Sequence, residues 1–398
     1  MHVGLFTDCY FPTRNGVVSS VAQLKEGLEK RGHRATVFTV RHSGQHAVEG
    51  DVYRFRSICF RRDIDLRLGV PRYRDVLDVA RNLELDLVHS HTEFTLGRVG
   101  SRIARELGLP HVHSCHTLFE EYRHYSALTR WMPRRIIRAS LAGFLSSADA
   151  VICPSGKMRS WLDSFVQGHR FLQIANGADA SRFYPRQDSD PKLAGLRAQL
   201  GICPSDKVIL YLGRLGEEKR VITLLEKMSG LLNNQPHYKL VMVGGGPQKK
   251  RLQQIALSKG IERQLILTGF VEWQHTPHFY ALADVFVSFS LSENCPMTLI
   301  EAAMCGLPIV ALKDEAMAAL VRSNENGILL ENDQQMPNAV GEILARESRQ
   351  SEMSSASIEI AQEFGIGKHC SRVSRLYRQL VGECSQAPAE SVNETAKV

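Results

Sequence analysis

Short apolar runs alternate with longer amphipathic stretches, and this alternation occurs twice along the chain. In the first half the runs fall at Val3–Asp8, Ala35–Val40, Val52–Phe55, Asp86–Ser90, His111–His116, Ala150–Pro154 and Phe171–Ala175. In the second half they fall at Val208–Leu212, Leu240–Val243, Leu265–Thr268, Val285–Phe289, Ile309–Leu312 and Ile328–Leu330. Strand–helix–strand repetition of this kind predicts parallel, doubly wound sheets. We therefore expect an α/β protein with two Rossmann-like domains facing a cleft.

Length and composition agree with two folded domains. The chain has 398 residues, of which 43% are hydrophobic. No apolar run reaches the roughly 18 residues that a membrane-spanning helix requires, and the first residues lack the features of a signal peptide. Nine scattered cysteines without a CxxC pair are typical of a reducing compartment, so we expect a cytoplasmic protein.

The net positive charge of the chain arises entirely in its first half. Residues 1–180 contain 25 Lys and Arg against 18 Asp and Glu, whereas residues 181–398 contain 24 of each. A basic half indicates nucleic acid, anionic lipid, a phosphorylated ligand, or simply a solvated surface. The basic residues are not interleaved with aromatic ones as in RNA-binding proteins, so we expect no nucleic-acid partner.

Ligands of open α/β sheets lie beyond the carboxyl ends of the strands. The residues that follow the predicted strands there are Asn15, Gly16, His91, His116, Thr117, Arg214, Gly244–Gly246, Ser292 and Glu293. Glycines, a histidine, an arginine and a carboxylate that converge from both halves predict a phosphorylated, hydroxyl-rich ligand.

Two segments of the second half suit such a ligand. Arg214 and Lys219 lie five positions apart after a predicted strand, so both could reach one diphosphate and neutralise it as a leaving group. The alternative is a surface cluster with the neighbouring residues Glu217 and Glu218.

The second segment places Glu293 and Glu301 eight positions apart, across the start of a helix predicted over residues 298–305. The helix N-terminus would offer N–H groups to an anion, Glu293 would accept sugar hydroxyls, and Glu301 could reach a ribose. The alternative is an ordinary exposed pair of glutamates.

Three motifs resemble the retaining GT-B glycosyltransferases of the family-four type. Residues 292–310 resemble the Glu-x7-Glu signature of that family, Gly213–Lys219 its diphosphate turn, and Asn176–Asp179 its Asn-Gly-x-Asp element. The resemblance implies an acceptor-binding domain (residues 1–185), a nucleotide-sugar-binding domain (residues 186–363) and a helix crossing back (residues 364–384). Residues 385–398 show no apolar periodicity, and we expect a disordered tail there.

The resemblance also implies site residues. His116 would contact the transferred sugar, and the donor diphosphate would leave toward Arg214 and Lys219, with Glu293 completing the catalytic set. The implied donor-binding residues are Asn15, Gly16, Gly213, Gly245, Phe270, Val271, Cys295, Met297, Thr298 and Glu301. No enzymic nucleophile, metal or other cofactor is expected.

Residues 116–125 resemble a stretch of bacterial diacylglycerol glycosyltransferases, which implies a lipid acceptor near Glu121 and Tyr122. A predicted helix after Pro133 supports work at a membrane, with Ile136, Ile137, Leu141, Phe144 and Leu145 on one side. Its arginines Arg134, Arg135 and Arg138 could meet anionic headgroups while Trp131 enters the interface. A second basic strip comprises Arg54, Arg56, Arg61, Arg62, Arg67, Arg72 and Arg74. We expect peripheral association with the inner face of the cell membrane; a solvated basic face is the alternative.

The sequence leaves the identity of the donor sugar and its nucleotide open. The diacylglycerol enzymes commonly carry Glu-Thr-Gln-Gly where this chain has Glu293-Asn-Cys-Pro296. UDP-glucose or UDP-galactose is expected, and GDP-mannose with a polysaccharide or phospholipid acceptor is the alternative. A nucleotide-sugar epimerase is the alternative from another enzyme class.

Two further patterns argue against other chemistries. The histidines at positions 89, 91, 111, 113 and 116 suggest a metal site, but no acidic or thiolate ligand lies at suitable spacing in the sequence. Gly244–Gly246 is not a GxGxxG motif, and Pro247 is predicted to open a helix, so a dinucleotide oxidoreductase is not expected.

Overall fold

A computed structural model describes residues 1–13, 15–61, 66–117, 133–185 and 190–386. The first part of the chain forms the strands β1 (His2–Phe6), β2 (Arg34–Val40), β3 (Val48–Glu49), β4 (Val52–Phe55), β5 (Ser57–Arg61), β6 (Leu66–Gly69), β7 (Leu87–Ser90), β8 (His111–Ser114), β9 (Ala150–Cys153) and β10 (Phe171–Gln173). Its helices are α1 (Gly16–Glu29), α2 (Tyr73–Asn82), α3 (Thr95–Leu107), α4 (Arg134–Leu145) and α5 (Gly156–Asp163).

Eight of these strands form one sheet in the order β10-β9-β8-β7-β1-β2-β4-β3, and β5 pairs with β6 separately. The pairs of the large sheet are parallel except β3 with β4. Val3 and Leu5 of β1 are fully buried against Val21 and Leu24 of α1, as the helical spacing predicts.

The second part of the chain forms a six-stranded parallel sheet in the order β13-β12-β11-β14-β15-β16. Its strands are β11 (Lys207–Leu212), β12 (Tyr238–Val243), β13 (Leu265–Gly269), β14 (Val285–Ser288), β15 (Ile309–Leu312) and β16 (Gly327–Leu330). The helices are α6 (Pro191–Leu200), α7 (Val221–Asn234), α8 (Lys249–Lys259), α9 (Thr276–Leu282), α10 (Met297–Met304), α11 (Glu315–Ala318), α12 (Met336–Leu344), α13 (Glu347–Ala361) and α14 (Ile366–Gln386). Two parallel sheets flanked by helices confirm the predicted fold class.

The strand order reverses between β1 and β7 in the first sheet and between β11 and β14 in the second. Crevices form at such switch points, outside the carboxyl ends of the strands. The loops after these four strands are therefore the ones that the fold directs toward a ligand.

The helix α14 returns to the first sheet. Its residues Cys370 and Tyr377 are buried in the same cluster as Leu24 of α1. A Cβ atom on Gly27 of α1 would clash with Cys370 Sγ, so the glycine lets the two helices pack closely without moving that side chain. The helix extends to Gln386, and residues 387–398 of the predicted tail lie outside the described part.

Three local predictions are wrong. The helix α8 begins at Lys249, with Pro247 in the preceding turn. Arg54 is 7% exposed and pairs with Glu49 at 3.0 Å, because β4 turns it inward, so it contributes nothing to a basic surface. Ile136 is 49% exposed and does not share the buried side of α4. In the described ranges, no helix combines the length and apolarity that crossing a bilayer requires.

Candidate active site

Three consecutive glycines follow β12 at its carboxyl end. A Cβ atom on Gly244 would lie 2.0 Å from the carbonyl oxygen of Gly213, and one on Gly246 would lie 2.4 Å from that of Leu215. A Cβ atom on Gly245 would meet no described atom within 4 Å. Close packing therefore explains the outer two glycines, whereas the open space at Gly245 leaves room for a ligand to approach the backbone.

The turn after β11 brings one predicted catalytic residue, Lys219, to another, Glu293. Lys219 donates a hydrogen bond to the Glu293 carboxylate in the loop between β14 and α10. Arg214 Nη1 lies 3.7 Å from Glu218 Oε1, which matches part of the alternative salt-bridge cluster. Lys219 thus faces the carboxylate of the β14–α10 loop, whereas the Arg214 side chain, which is 31% exposed, lies beside Glu218.

Glu293 is held as a carboxylate. Burial alone would raise its pKa, but the ammonium group of Lys219, a hydrogen bond from Ser290 and the charge of Lys157 bring the pKa below its ordinary value. A charged carboxylate at this position can accept hydrogen bonds from hydroxyl groups.

The helix α10 begins directly after this loop. Its N-cap is Pro296, and no side chain in the described ranges caps its first turn. Its N–H groups near Met297, which is buried, and Thr298, which is half-buried, are suited to an anion. The helix starts one residue earlier than predicted, at Met297.

Glu301 lies about one turn into α10 and is only 3% exposed. Tyr280 donates a hydrogen bond of 2.7 Å to its carboxylate. Burial raises the pKa of Glu301 to about 7, although the hydrogen bond from Tyr280 acts in the opposite direction. The alternative of an exposed glutamate pair is therefore wrong, because the Glu293 side chain is also only 18% exposed.

The other predicted donor residues of the second domain differ in environment. The ring of Phe270 is 57% exposed after β13, and Val271 packs against the core around Tyr280. Cys295 lines an opening of about 180 Å³ between the two domains, together with Ser155. Burial raises the pKa of the Cys295 thiol to about 12, so it is an uncharged wall of that opening at neutral pH.

In the first domain, Asn15 and Gly16 stand at the start of α1. The Asn15 side chain accepts a hydrogen bond of 3.0 Å from the Val18 N–H, so it serves as the helix N-cap. A Cβ atom on Gly16 would meet no described atom within 4 Å, so nothing in the described protein requires a glycine there.

His116 follows β8 and contacts His91, which follows the adjacent strand β7. Their Nε2 and Nδ1 atoms are 3.1 Å apart. Burial, together with the nearby residues His113 and His369, lowers the pKa of His116 to about 3. The imidazole is therefore neutral at physiological pH and can contact hydroxyl groups without carrying charge.

The structure also brings together residues that the sequence analysis missed. Ser155 Oγ donates to Asn294 Oδ1 at 2.9 Å, and Asn294 Nδ2 donates to the His116 carbonyl at 3.4 Å. Lys157 Nζ donates to Asp314 Oδ2 at 2.9 Å. The sequence carries a signal for two of them, because Ser155 and Lys157 follow the predicted strand that ends at Pro154 and so lie at the carboxyl edge of the sheet.

The expectation that the histidines lack an acidic or thiolate neighbour is wrong. Ligand atoms of Glu93, His113 and Cys115 lie within 4.8 Å of one another, and all three residues are buried. They come together because β7 and β8 are adjacent in the sheet. Among the described residues this is the one group whose geometry could hold a metal.

The predicted acceptor and membrane residues are only partly described. Glu121, Tyr122 and Trp131 lie outside the described ranges. Arg134 and Arg135 are exposed at the start of α4, next to the exposed residue Ile136. Arg138 instead lies over the ring of Phe165, 5.2 Å from its centroid, and is half-buried.

Comparison with known families identifies both halves of the chain. Residues 14–182 match the model for "Glycosyltransferase Family 4", and residues 195–361 match "Glycosyl transferases group 1". The "alpha-monoglucosyldiacylglycerol synthase" of Streptococcus pneumoniae is 32% identical over 86% of this chain and 78% of its own length. The enzyme of the same name from Acholeplasma laidlawii is 30% identical over 84% of this chain and 86% of its own.

More distant relatives and solved structures extend the comparison. The "GDP-mannose-dependent alpha-mannosyltransferase" of Corynebacterium glutamicum is 25% identical over 100% of this chain and 94% of its own length. The structure of sucrose-phosphate synthase from Thermosynechococcus elongatus has a TM-score of 0.78 at 20% identity, covering 96% of this chain and 99% of that one. Anabaena HepE in complex with UDP-glucose has a TM-score of 0.74 at 20% identity, covering 95% of this chain and 100% of that one. These two structures share the two-domain fold.

Proposed function

The chain belongs to the family-4 glycosyltransferases of the GT-B fold, and from this premise we propose that it is a retaining hexosyltransferase acting on a membrane lipid. The proposed donor is a nucleotide sugar, UDP-glucose or UDP-galactose. The proposed acceptor is a lipid hydroxyl such as that of diacylglycerol, reached by peripheral association with the cytoplasmic membrane surface.

The observation that carries the proposal is the contact between Lys219 and Glu293 at the switch point of the second sheet. The contact sets a cation and a carboxylate side by side, next to the uncapped start of α10. A sugar diphosphate needs both: Lys219, Arg214 and the helix N-terminus offset the phosphate charge, and Glu293 accepts the sugar hydroxyls.

The same geometry suggests how the reaction proceeds. The diphosphate leaves toward Arg214 and Lys219, and the acceptor hydroxyl enters from the face that the diphosphate vacates, so the anomeric configuration is retained. The leaving phosphate takes the proton of the hydroxyl. His116 has a pKa of about 3, so it is not a general acid at neutral pH, and its proposed role is to contact the transferred sugar. The cationic side chains supply the charge that a metal would otherwise bring.

The lipid acceptor is supported by the two relatives named alpha-monoglucosyldiacylglycerol synthase and by the surface of α4. Arg134, Arg135 and Ile136 are exposed together there. The helix dipole disfavours arginines in a first helical turn by a few tenths of a kcal/mol each, whereas anionic lipid favours each by about 1 kcal/mol. A membrane surface would therefore offset the cost of this arrangement.

A panel of nucleotide sugars offered with diacylglycerol vesicles tests the proposal. We expect transfer from a UDP-hexose, an α-linked product by NMR of the anomeric proton, and unchanged activity in EDTA. Incubation with the donor alone should yield no epimer. A β-linked product, or activity that EDTA abolishes and manganese restores, would contradict the retaining, metal-independent reaction.

A GDP-mannose donor is the second candidate. It is supported by the mannosyltransferase relative and by Pro296, which occupies a position where the diacylglycerol enzymes commonly carry glycine. Calorimetry with UDP and GDP separates the two donors, because the tighter nucleotide identifies the base that the second domain accepts.

A further inference from the structure

The first turn of the helix α5, in the first domain, contacts the second domain. The Lys157 ammonium donates to three acceptors there: the Leu291 carbonyl at 2.9 Å, the Glu293 carbonyl at 3.3 Å, and Asp314 Oδ2 at 2.9 Å. The Lys157 and Asp314 side chains are 18% and 13% exposed. One cation of the acceptor domain therefore holds the backbone of the β14–α10 loop on both sides of Ser292.

The carboxylate that receives Lys157 is itself fixed in place. Asp314 Oδ1 accepts a hydrogen bond of 2.9 Å from the Ala316 N–H and caps α11. Its second oxygen, Oδ2, is then directed to Lys157. An ion pair whose acceptor is already oriented loses less conformational entropy on forming than one between two mobile side chains.

The residue before α5 reinforces the contact. Ser155 caps α5 through the Met158 N–H at 3.2 Å and reaches Asn294 at 2.9 Å. Asn294 in turn donates to the carbonyl of His116. The β14–α10 loop is thus joined to the acceptor domain on either side of Glu293, and one of the joints ends at His116.

We propose that Lys157 is a positioning residue that fastens the Glu293 loop of the donor domain to the acceptor domain, so that the sugar site is complete only when the cleft is closed. This inference rests on the proposed function. The charge of Lys157 also acts on Glu293 and favours its ionised form. When the cleft closes, Lys157 thereby fixes the position of Glu293 and favours its charged form, and Glu293 is the group that receives the sugar.

Two variants test Lys157 from opposite sides of the contact. Lys157→Met keeps the length of the side chain and removes the charge, and Asp314→Asn removes the charge while its amide oxygen can still cap α11. Arg159→Met is the matched control: it removes a cation two positions further along α5, where Arg159 pairs with Asp163 of its own helix. Melting temperatures establish that all three variants fold.

We expect kcat to fall about ten-fold or more in Lys157→Met and Asp314→Asn, because the chemistry needs the fastened loop. The Kd for UDP should change less than about three-fold, because Lys157 does not bind the nucleotide. In small-angle scattering with UDP, both variants should have a larger radius of gyration than the parent. The double variant should be no slower than either single one. Arg159→Met should match the parent in every measurement.

A kcat within two-fold of the parent in folded Lys157→Met would overturn the inference, and so would an equal loss of UDP affinity and kcat. The scattering comparison needs no turnover. If the parent transfers no sugar, the proposed function fails, and the radius of gyration still decides whether Lys157 holds the cleft closed.

Discussion

Lys219 meets the Glu293 carboxylate directly, so its charge is already in place before a donor arrives. If the diphosphate leaves toward it, Lys219→Ala removes one electrostatic stabiliser of the transition state. We expect kcat to fall roughly 10²-fold or more. Steady-state kinetics with and without EDTA measures this, with Lys250→Ala on the surface of α8 as the control. A variant that retains parental kcat would exclude Lys219 from the reaction.

If Glu301 binds the ribose as proposed, nucleotide binding depends on pH. Its pKa of about 7 lies above the ordinary value of 4.5, because burial disfavours the charged form. Ribose hydroxyls that donate to the carboxylate stabilise that charged form. Binding therefore strengthens as pH rises through 7, and we expect affinity for UDP-glucose to increase about ten-fold from pH 6 to pH 8.

Calorimetry across this range measures the dependence, and UDP-glucose is used because its pyrophosphate does not titrate there. Glu301→Gln cannot ionise, so its affinity should be lower at pH 8 and nearly independent of pH. Parallel pH profiles for the parent and the variant would remove Glu301 from the ribose site.

At the scale of elements, α4 is the candidate contact with the membrane. Replacing Arg134 and Arg135 by alanine should weaken binding to anionic vesicles by about ten-fold or more, because each arginine contributes about 1 kcal/mol near the surface. Arg138 is left in place because it lies over Phe165. Co-sedimentation at several salt concentrations measures the loss. Alanines at Lys250 and Arg251, which are exposed neighbours on α8, are the control of equal charge. An equal loss of vesicle binding in both variants would indicate that binding depends on the overall charge of the protein and not on α4.

The helices and strands were largely predictable from the sequence because their signals are local. Buried strands such as β1 and β11 are visible in the sequence as apolar runs. The charged residues of segments 213–219 and 293–301 lie within a few positions of one another, so their spacing can also be recognised in the sequence. The contacts that complete the site depend on distant residues. Lys157 meets Asp314 across 157 positions, and Tyr280 meets Glu301 across 21. No local spacing encodes these pairs, so the sequence analysis could not include them.

At the scale of the whole molecule, buried neutral histidines make stability depend on pH. Burial depresses the pKa of several of them below 6.5, among them His89, His91, His111, His116 and His369. A depressed histidine pKa contributes stability that is present above pH 6.5 and is lost as pH falls toward the folded value. For His111 and His116, with folded values of about 4 and 3, the loss at pH 5.5 is roughly 1.4 kcal/mol each.

Urea unfolding at pH 7.5 and pH 5.5 tests this dependence. The free energy of unfolding should fall by several kcal/mol at the lower pH. His111→Gln should unfold with a smaller difference between the two conditions, because one proton-binding group is gone. A free energy that stays constant between the two pH values would contradict neutral burial of these side chains.

The chain enters and leaves the second domain at adjacent points. Ala178 donates its N–H to the Phe364 carbonyl at 2.9 Å, and Ile366 donates to the Ala178 carbonyl at 2.8 Å. Residues 179–364 therefore form a segment whose two ends lie next to each other in space. This segment can be exchanged as one cassette between relatives, with both junctions of the chimera at neighbouring points of the structure. Exchanging this cassette for that of a GDP-mannose-dependent relative should change the nucleotide that the hybrid binds while leaving its acceptor unchanged. Evolution could recombine donors and acceptors across the same junction without disturbing either core.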